Sequence, residues 1–330
     1  MADGPLDVVG VGNAIVDVFS HTDDAFLTRV GLEKGVMTLI DAARAEELYA
    51  QMGPGVEMSG GSAGNTMAGL ASLGATGAFI GRVHDDQLGR IYRHDIRALG
   101  VEFDTPAAIS GMPTARCLVF VTPDAHRTMA TFLGASTELG AADIDESLIA
   151  RAQVTYLEGY LWDDPRAKEA LLKAATAARQ AGRKVAFTLS DPFCVDRHRA
   201  EFLDLIAGHI DILFGNEAEI TSLYQVDTFD DAMQPLRGHC EIAALTRSEK
   251  GSVVLSGADF HVIDAAPVER VVDTTGAGDL YAAGFLFGLT HGRSLAECGR
   301  LGSLCAAEII SHVGARPEVS LAELVRSEGL

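Results

Sequence analysis

Apolar positions along this chain follow two alternating patterns. Short runs rich in Val, Ile, Leu and Phe predict strands: "LDVVGVG" (6–12), "GAFIGRV" (77–83), "VTYLEGYLW" (154–162), "KVAFTLSD" (184–191), "HIDILFGN" (209–216), "CEIAALT" (240–246) and "GSVVLS" (251–256). Between them lie segments of helical period. "SAGNTMAGLASLG" (62–74) places Met67, Leu70, Ala71 and Gly74 on one face, and "DDQLGRIYRHDIRALG" (85–100) is amphipathic and closed by Gly100. Asp164 and Pro165 are a good N-cap and first-turn pair for "RAKEALLKAATAARQAG" (166–182). "EAEITSLY" (217–224) opens another helix, and "RLGSLCAAEIISHVG" (300–314) is the final one. Strands alternating with helices predict a mainly parallel sheet covered on both faces, with ligands outside the carboxyl ends of its strands.

Two stretches break the rhythm. "ARCLVFVTPDAHRTMATFLGAS" (115–136) reads as a hairpin turning at "TPDAHR", and the region around 15–40 is irregular. We therefore expect one α/β domain over residues 1–330, with a small β-lid built from insertions at about 15–40 and 101–135.

One loop stands out: "DTTGAGDLYAAGFLFGLTHG" (273–292). Its second half is apolar nearly all round, so it predicts a buried helix. The first amides of a helix have no partner within it, and they suit an anion. Asp279 sits at that start. It is either a capping carboxylate or a general base beside a phosphoryl site formed by the Gly276, Ala277 and Gly278 amides. A second glycine-rich loop, "GVGNAI" (10–15), has Ile15 where a dinucleotide fingerprint needs its third glycine. No P-loop pattern occurs.

Composition narrows the partners. With 48% hydrophobic residues, the 330-residue chain can bury a sizeable core. Its 26 basic and 46 acidic side chains leave a net charge of −20, which disfavours nucleic acid and anionic membranes but not a small phosphate ligand in a local pocket. The five cysteines, Cys117, Cys194, Cys240, Cys298 and Cys305, lack metal-ligand spacing and read as free thiols. No leader or membrane-spanning run is visible, and a cytoplasmic protein is expected.

"DTTGAGD" resembles the signature of the ribokinase-like kinases of sugars and nucleosides, the phosphofructokinase-B family, and further motifs agree in order along nearly the whole chain. The resemblance implies a three-layer ribokinase-like fold. It makes Asp279 the catalytic base and Gly276, Ala277 and Gly278 the anion hole. "GGSAGNT" (60–66) is similar to the family's acceptor loop, so Gly60, Gly61 and Asn65, with Asn13 and Asp17 after the first strand, are expected to hold the acceptor. "FGNEAEI" (214–220) resembles the N-x-x-E motif, which implies that Asn216 and Glu219 organise Mg2+ and the ATP phosphates. Thr246, Ser248 and Gly251 fit the nucleotide loop, although the family often has glycine where Ser248 stands. By resemblance, Ser303 lies beside the adenine, and Asp273 with the backbone near Gly314 forms a monovalent-cation (K+) site found in some members. Arg127 is either an exposed turn residue or a lid cation for the phosphates.

The four-residue spacing of Asn13 and Asp17 and the Gly-Gly-Ser-x-x-Asn form resemble the adenosine kinases of the family. They imply phosphorylation of the 5′-hydroxyl of adenosine, with a sugar kinase for ribose, fructose or a related sugar as the alternative. Phe19, Met37, Leu133 and Trp162 are the candidate purine walls. A non-catalytic sensor on the same fold has less reason to keep Asp279 and the N-x-x-E motif. A monomer and a homodimer paired through the lids both stay open.

Overall fold

Val8 and Val9 are neighbours in sequence but belong to two different cores. Side chains alternate across a strand, so a strand buried on both faces must carry apolar residues at odd and even positions alike. The strands of the main sheet do so.

The computed structural model describes residues 4–124 and 126–330. The first three residues, where a leader would begin, and Ala125 of the "TPDAHR" stretch lie outside that set. The strands are β1 (Leu6–Val11), β2 (Ile15–His21), β3 (Met37–Leu39), β4 (Gly55–Gly60), β5 (Gly77–Ile80), β6 (Ala115–Val121), β7 (Arg127–Phe132), β8 (Ala152–Glu158), β9 (Lys184–Thr188), β10 (Ile212–Asn216), β11 (Ile242–Thr246), β12 (Ser252–Ser256) and β13 (Asp259–Ile263). An eight-stranded sheet runs β13-β12-β11-β10-β9-β8-β1-β5. Its strands are parallel from β5 to β11, and β12 and β13 close one edge antiparallel. Helices cover both faces, giving the three-layer α/β architecture expected. Ser62–Leu73, Ala277–Thr290 and Leu295–Ile309 pack with Val8, Phe79, Tyr156 and Phe214, whereas Pro165–Gln180 and Pro192–His209 pack with Val9, Val11, Leu157 and Phe187. Asp164 caps Pro165–Gln180 by accepting from the Arg166 amide.

The second sheet runs β3-β7-β6-β2-β4. Its hairpin pairs β6 with β7 antiparallel, from Arg116↔Phe132 to Val121↔Arg127. One face packs on the helices Asp24–Arg29 and Ala42–Gln51 through Val18, Leu118, Phe120, Phe26 and Leu48. Strand β4 comes from neither stretch expected to build this sheet, because "GVEMSG" is short and glycine-flanked. Residues 101–114 do not join it. Val101 and Phe103 are buried, Phe103 packs on Phe79 and Tyr92, and Glu102 bridges to Ala78 of the main sheet. The run read as one strand over 154–162 ends at Glu158 and continues as a 3-10 turn, Gly159–Asp163. No helix among the described residues is long and apolar enough to cross a membrane. All five cysteines are free thiols, four of them buried.

Candidate active site

Helix Ala277–Thr290 buries Leu280 to Leu286 almost without interruption. Its N-cap is Gly276, in the left-handed region at φ +79°, and no side chain caps it. The capping role open to Asp279 is therefore not what its carboxylate does. Oδ1 accepts from Ser62 Oγ at 2.6 Å, and Oδ2 from Asn65 Nδ2 at 2.9 Å. Burial raises the Asp279 pKa; the bonds from Ser62 and Asn65 and the charge of Arg316 oppose the rise. Asn65 is buried, and its Oδ1 has no partner. At the helix start the Ala277 amide donates to the Thr274 carbonyl at 3.2 Å. The Gly276 and Gly278 amides make no hydrogen bond among the described residues, and a side chain at Gly278 would meet nothing within 4 Å. Two amides are thus left unbonded at a positive helix end, with open space beside Gly278, as an anion requires.

The loop that holds Asp279 also borders Asp17. A Cβ at Gly60 would lie 2.3 Å from Asp17 Oδ2, and one at Gly61 (φ +83°) 2.2 Å from the Asn13 carbonyl oxygen. Both glycines are needed because backbone and carboxylate meet there with no room for a methyl group. Desolvation raises the Asp17 pKa to about 7, against the pull of Arg316 and Arg127, and the Asp279 charge adds to the rise. Asn13 is buried and donates through Nδ2 to Glu158 Oε1 at 2.6 Å. Glu158 also accepts from the Ala63 amide at 2.9 Å, and burial raises its pKa to about 7. Asn13 is thus fixed in orientation, with its donor committed to the protein.

Among the residues expected to bind the nucleotide, Asn216 and Thr246 are register partners at the carboxyl ends of β10 and β11. Asn216 and Glu219 form a closed capping box. The Glu219 amide donates to Asn216 Oδ1 at 2.9 Å, Asn216 Nδ2 to Glu219 Oε1 at 2.6 Å, and the Asn216 amide to Glu219 Oε2 at 2.9 Å. Burial raises the Glu219 pKa to about 7. Among the described residues no group of three His, Cys, Asp or Glu could hold a metal ion. Ser248 adopts φ +51°, so the left-handed turn natural to glycine is kept by a serine, and Gly251 (φ +80°) lies against the Ile263 carbonyl. Ser303 accepts from the Ala266 amide at 2.8 Å and donates to the Asp264 carbonyl at 3.2 Å. It lines a cavity of about 540 Å³ together with Pro267, Val268, Arg300, Leu304 and Glu308.

Arg127 is not an exposed turn residue. It opens β7, is buried, and pairs with Asp273 Oδ2 at 2.7 Å while lying over the Phe19 ring. Its Nε and Nη2 have no partner. Asp273 is fully engaged: Oδ1 accepts from the Thr275 amide and hydroxyl, and Oδ2 also from the Gly314 amide. The residues expected to hold K+ do not fit it in this arrangement, because a guanidinium already neutralises the carboxylate. Trp162 is no purine wall. It is buried in the opposite core against Phe202, with its indole donating to Glu201. Phe19 remains on the same sheet face as Asp17, two residues along β2.

The structure thus brings Asn13, Asp17, Gly60, Gly61, Asn65, Asp279 and the Gly276–Gly278 amides together. Of the residues expected to bind the nucleotide, it pairs Asn216 and Thr246 at adjoining strand ends, closes Glu219 onto Asn216, and holds Ser303 against Asp264 and Ala266. Sequence reasoning missed Ser62, Glu158 and Arg316. An acid ending an apolar strand was the available signal for Glu158, and Ser62 stood inside a motif already singled out.

Residues 36–321 match the pfkB family of carbohydrate kinases. The chain is 54% identical to the adenosine kinase of Sinorhizobium meliloti (TM-score 0.91; 98% of this chain, 100% of that one). It is 52% identical to a probable sugar kinase protein from Rhizobium etli CFN 42 (TM-score 0.92; 99% of each chain). A 5-dehydro-2-deoxygluconokinase from Geobacillus thermodenitrificans is 27% identical over 323 residues (93% of this chain, 88% of that protein).

Proposed function

Because the chain belongs to the pfkB family of carbohydrate kinases, we propose that it transfers the γ-phosphoryl group of ATP to the 5′-hydroxyl of adenosine. Membership makes it a phosphotransferase whose acceptor is an alcohol group of a sugar or nucleoside and whose donor is ATP. The adenosine reading rests on one observation above all, the 54% identity over nearly the full length to an adenosine kinase.

In this reading Asp17 and Asn65 Oδ1 accept hydrogen bonds from the ribose hydroxyls, and Gly60 and Gly61 let the sugar approach the backbone. Asp279 takes the proton of the 5′-hydroxyl. Its raised pKa suits a base that works near neutral pH. The new O–P bond forms as the bond to ADP breaks, in line. The Gly276 and Gly278 amides receive the charge on the transferring group. Arg127 adds positive charge from the second sheet through the two nitrogens left without partners. Mg2+ bound with the nucleotide would neutralise phosphate charge. Glu219 would hold it through water, because each of its oxygens keeps a lone pair beyond the bond from Asn216.

Asp279→Asn is expected to lower kcat by about 10²–10⁴-fold while ATP binding, followed by titration calorimetry, survives. Turnover within a few-fold of normal would remove Asp279 from the base role. A sugar acceptor is the second reading, favoured by the 5-dehydro-2-deoxygluconokinase relative. ADP release measured over a panel of nucleosides, ribose, fructose and 5-dehydro-2-deoxygluconate separates the two. Adenosine with the highest kcat/KM is the expected result, and a sugar in that place refutes it.

A further inference from the structure

Arg316 lies between the helices Leu295–Ile309 and Leu321–Ser327, far in sequence from the acceptor loop, yet its side chain reaches that loop. Nε and Nη2 donate to the Ser59 carbonyl at 3.0 and 2.5 Å, Nη2 also to Ser59 Oγ at 2.9 Å, and Nη1 to the Gly64 carbonyl at 2.8 Å. Ser59 and Gly64 bracket the segment that carries Gly60, Gly61 and Ser62, and Asn65 follows directly. One planar fork therefore holds both ends of the segment that presents Asp279's two donors. Ser59 is fixed from the other side as well: its amide and hydroxyl donate to Asp95 Oδ2 at 2.7 and 2.6 Å.

The same guanidinium sits among carboxylates in a desolvated place. Asp17 faces it from β2, Asp279 from the helix Ala277–Thr290, and Asp95 and Tyr92 from the helix Gln87–Ala98. The other charges in the group are Arg127, which faces Asp17, and Glu158, which faces Asp279. Two carboxylates that repel each other in a dry site stay ionised together only with a cation beside them.

We propose that Arg316 is a positioning residue that acts in two ways: it fixes the Ser59–Asn65 segment in place, and it supplies the positive charge that keeps Asp279 able to accept a proton. The proposal rests on the reading of Asp279 as base. Its lowering effect on the pKa values of Asp17 and Asp279 agrees with it. The two roles separate chemically. Lysine keeps the charge but cannot make the fork; glutamine loses the charge.

The test measures kcat/KM against pH for the unmodified enzyme, R316K and R316Q, with whichever acceptor the unmodified enzyme turns over. A wrong acceptor assignment therefore leaves the test intact, and Asp279→Asn tests the base separately. In R316Q the acid limb is expected to move to higher pH, because an uncompensated Asp279 holds its proton longer. R316K is expected to leave that limb in place while raising the acceptor KM about tenfold, with the ATP KM unchanged. A folded R316Q with an unmoved acid limb overturns the electrostatic role. If R316Q fails to fold, R316K decides, and an unchanged acceptor KM there overturns the fixing role.

Discussion

Gly61 shows how little freedom single positions have here. Its φ of +83° and the 2.2 Å gap between a would-be Cβ and the Asn13 carbonyl leave hydrogen as the one fitting substituent. Gly61→Ala is expected to cost at least about 1–2 kcal/mol from the backbone angle alone, read by urea denaturation. Gly60→Ala acts differently. Its methyl group would displace the Asp17 carboxylate, so the acceptor KM should rise while the ATP KM stays put in steady-state kinetics. Residues of this kind were legible in the sequence because their signal is local. Asp279, the glycine pair and Asn65 each sit in a motif a few residues long. Ser62 lies within one of these motifs, but its role does not show there, since its partner Asp279 lies 217 residues away. Arg316 reaches Ser59 across 257 residues, and Glu158 reaches Asn13 across 145. No local pattern records a partner so distant.

At the scale of elements, the apolar runs and their caps were enough to locate the main sheet and its helices. Strand β4 escaped because it is half exposed and so carries no apolar period. The pairing of the helices Ala277–Thr290 and Leu295–Ile309 also escaped, although it is among the closest in the molecule. A Cβ at Gly284 would lie 2.4 Å from the Leu301 carbonyl oxygen, and one at Gly302 2.8 Å from that of Tyr281. Alanine for glycine inside a helix gains about 1 kcal/mol in propensity. Here the obstacle is backbone, which cannot rotate away, and overpacking costs about 1–3 kcal/mol. Gly284→Ala is therefore expected to destabilise the protein in urea and to lower kcat, because the helix carries Asp279 at its start.

Over the whole molecule, a net charge of −20 contrasts with a site where three desolvated carboxylates, Asp17, Glu158 and Glu219, have pKa values raised to about 7. Between their ordinary values near 4 and about 7, the folded state binds more protons than the unfolded one. Stability therefore falls as pH rises through that window, and the part owed to these groups is fully present only below it. Urea midpoints of the ligand-free protein should decline from pH 5 to pH 7, and Glu158→Gln should flatten the decline. A flat profile in the unmodified protein would contradict the raised values. The buried Arg127–Asp273 pair ties β7 of the second sheet to the loop before the helix Ala277–Thr290. Breaking such a pair leaves an uncompensated charge, so Asp273→Asn is expected to cost about 3–5 kcal/mol.

The two bonds on Asp279 have a consequence for the cell's supply of ATP. Each Asp279 oxygen accepts one bond, from Ser62 or from Asn65, and these bonds weaken its pull on the proton of a stray water molecule. On the proposed reading of Asp279 as base, the two donors would restrain idling, the slow burning of ATP with nothing to phosphorylate. Ser62→Ala would free one oxygen, and ATP hydrolysis without any acceptor should rise above the unmodified rate.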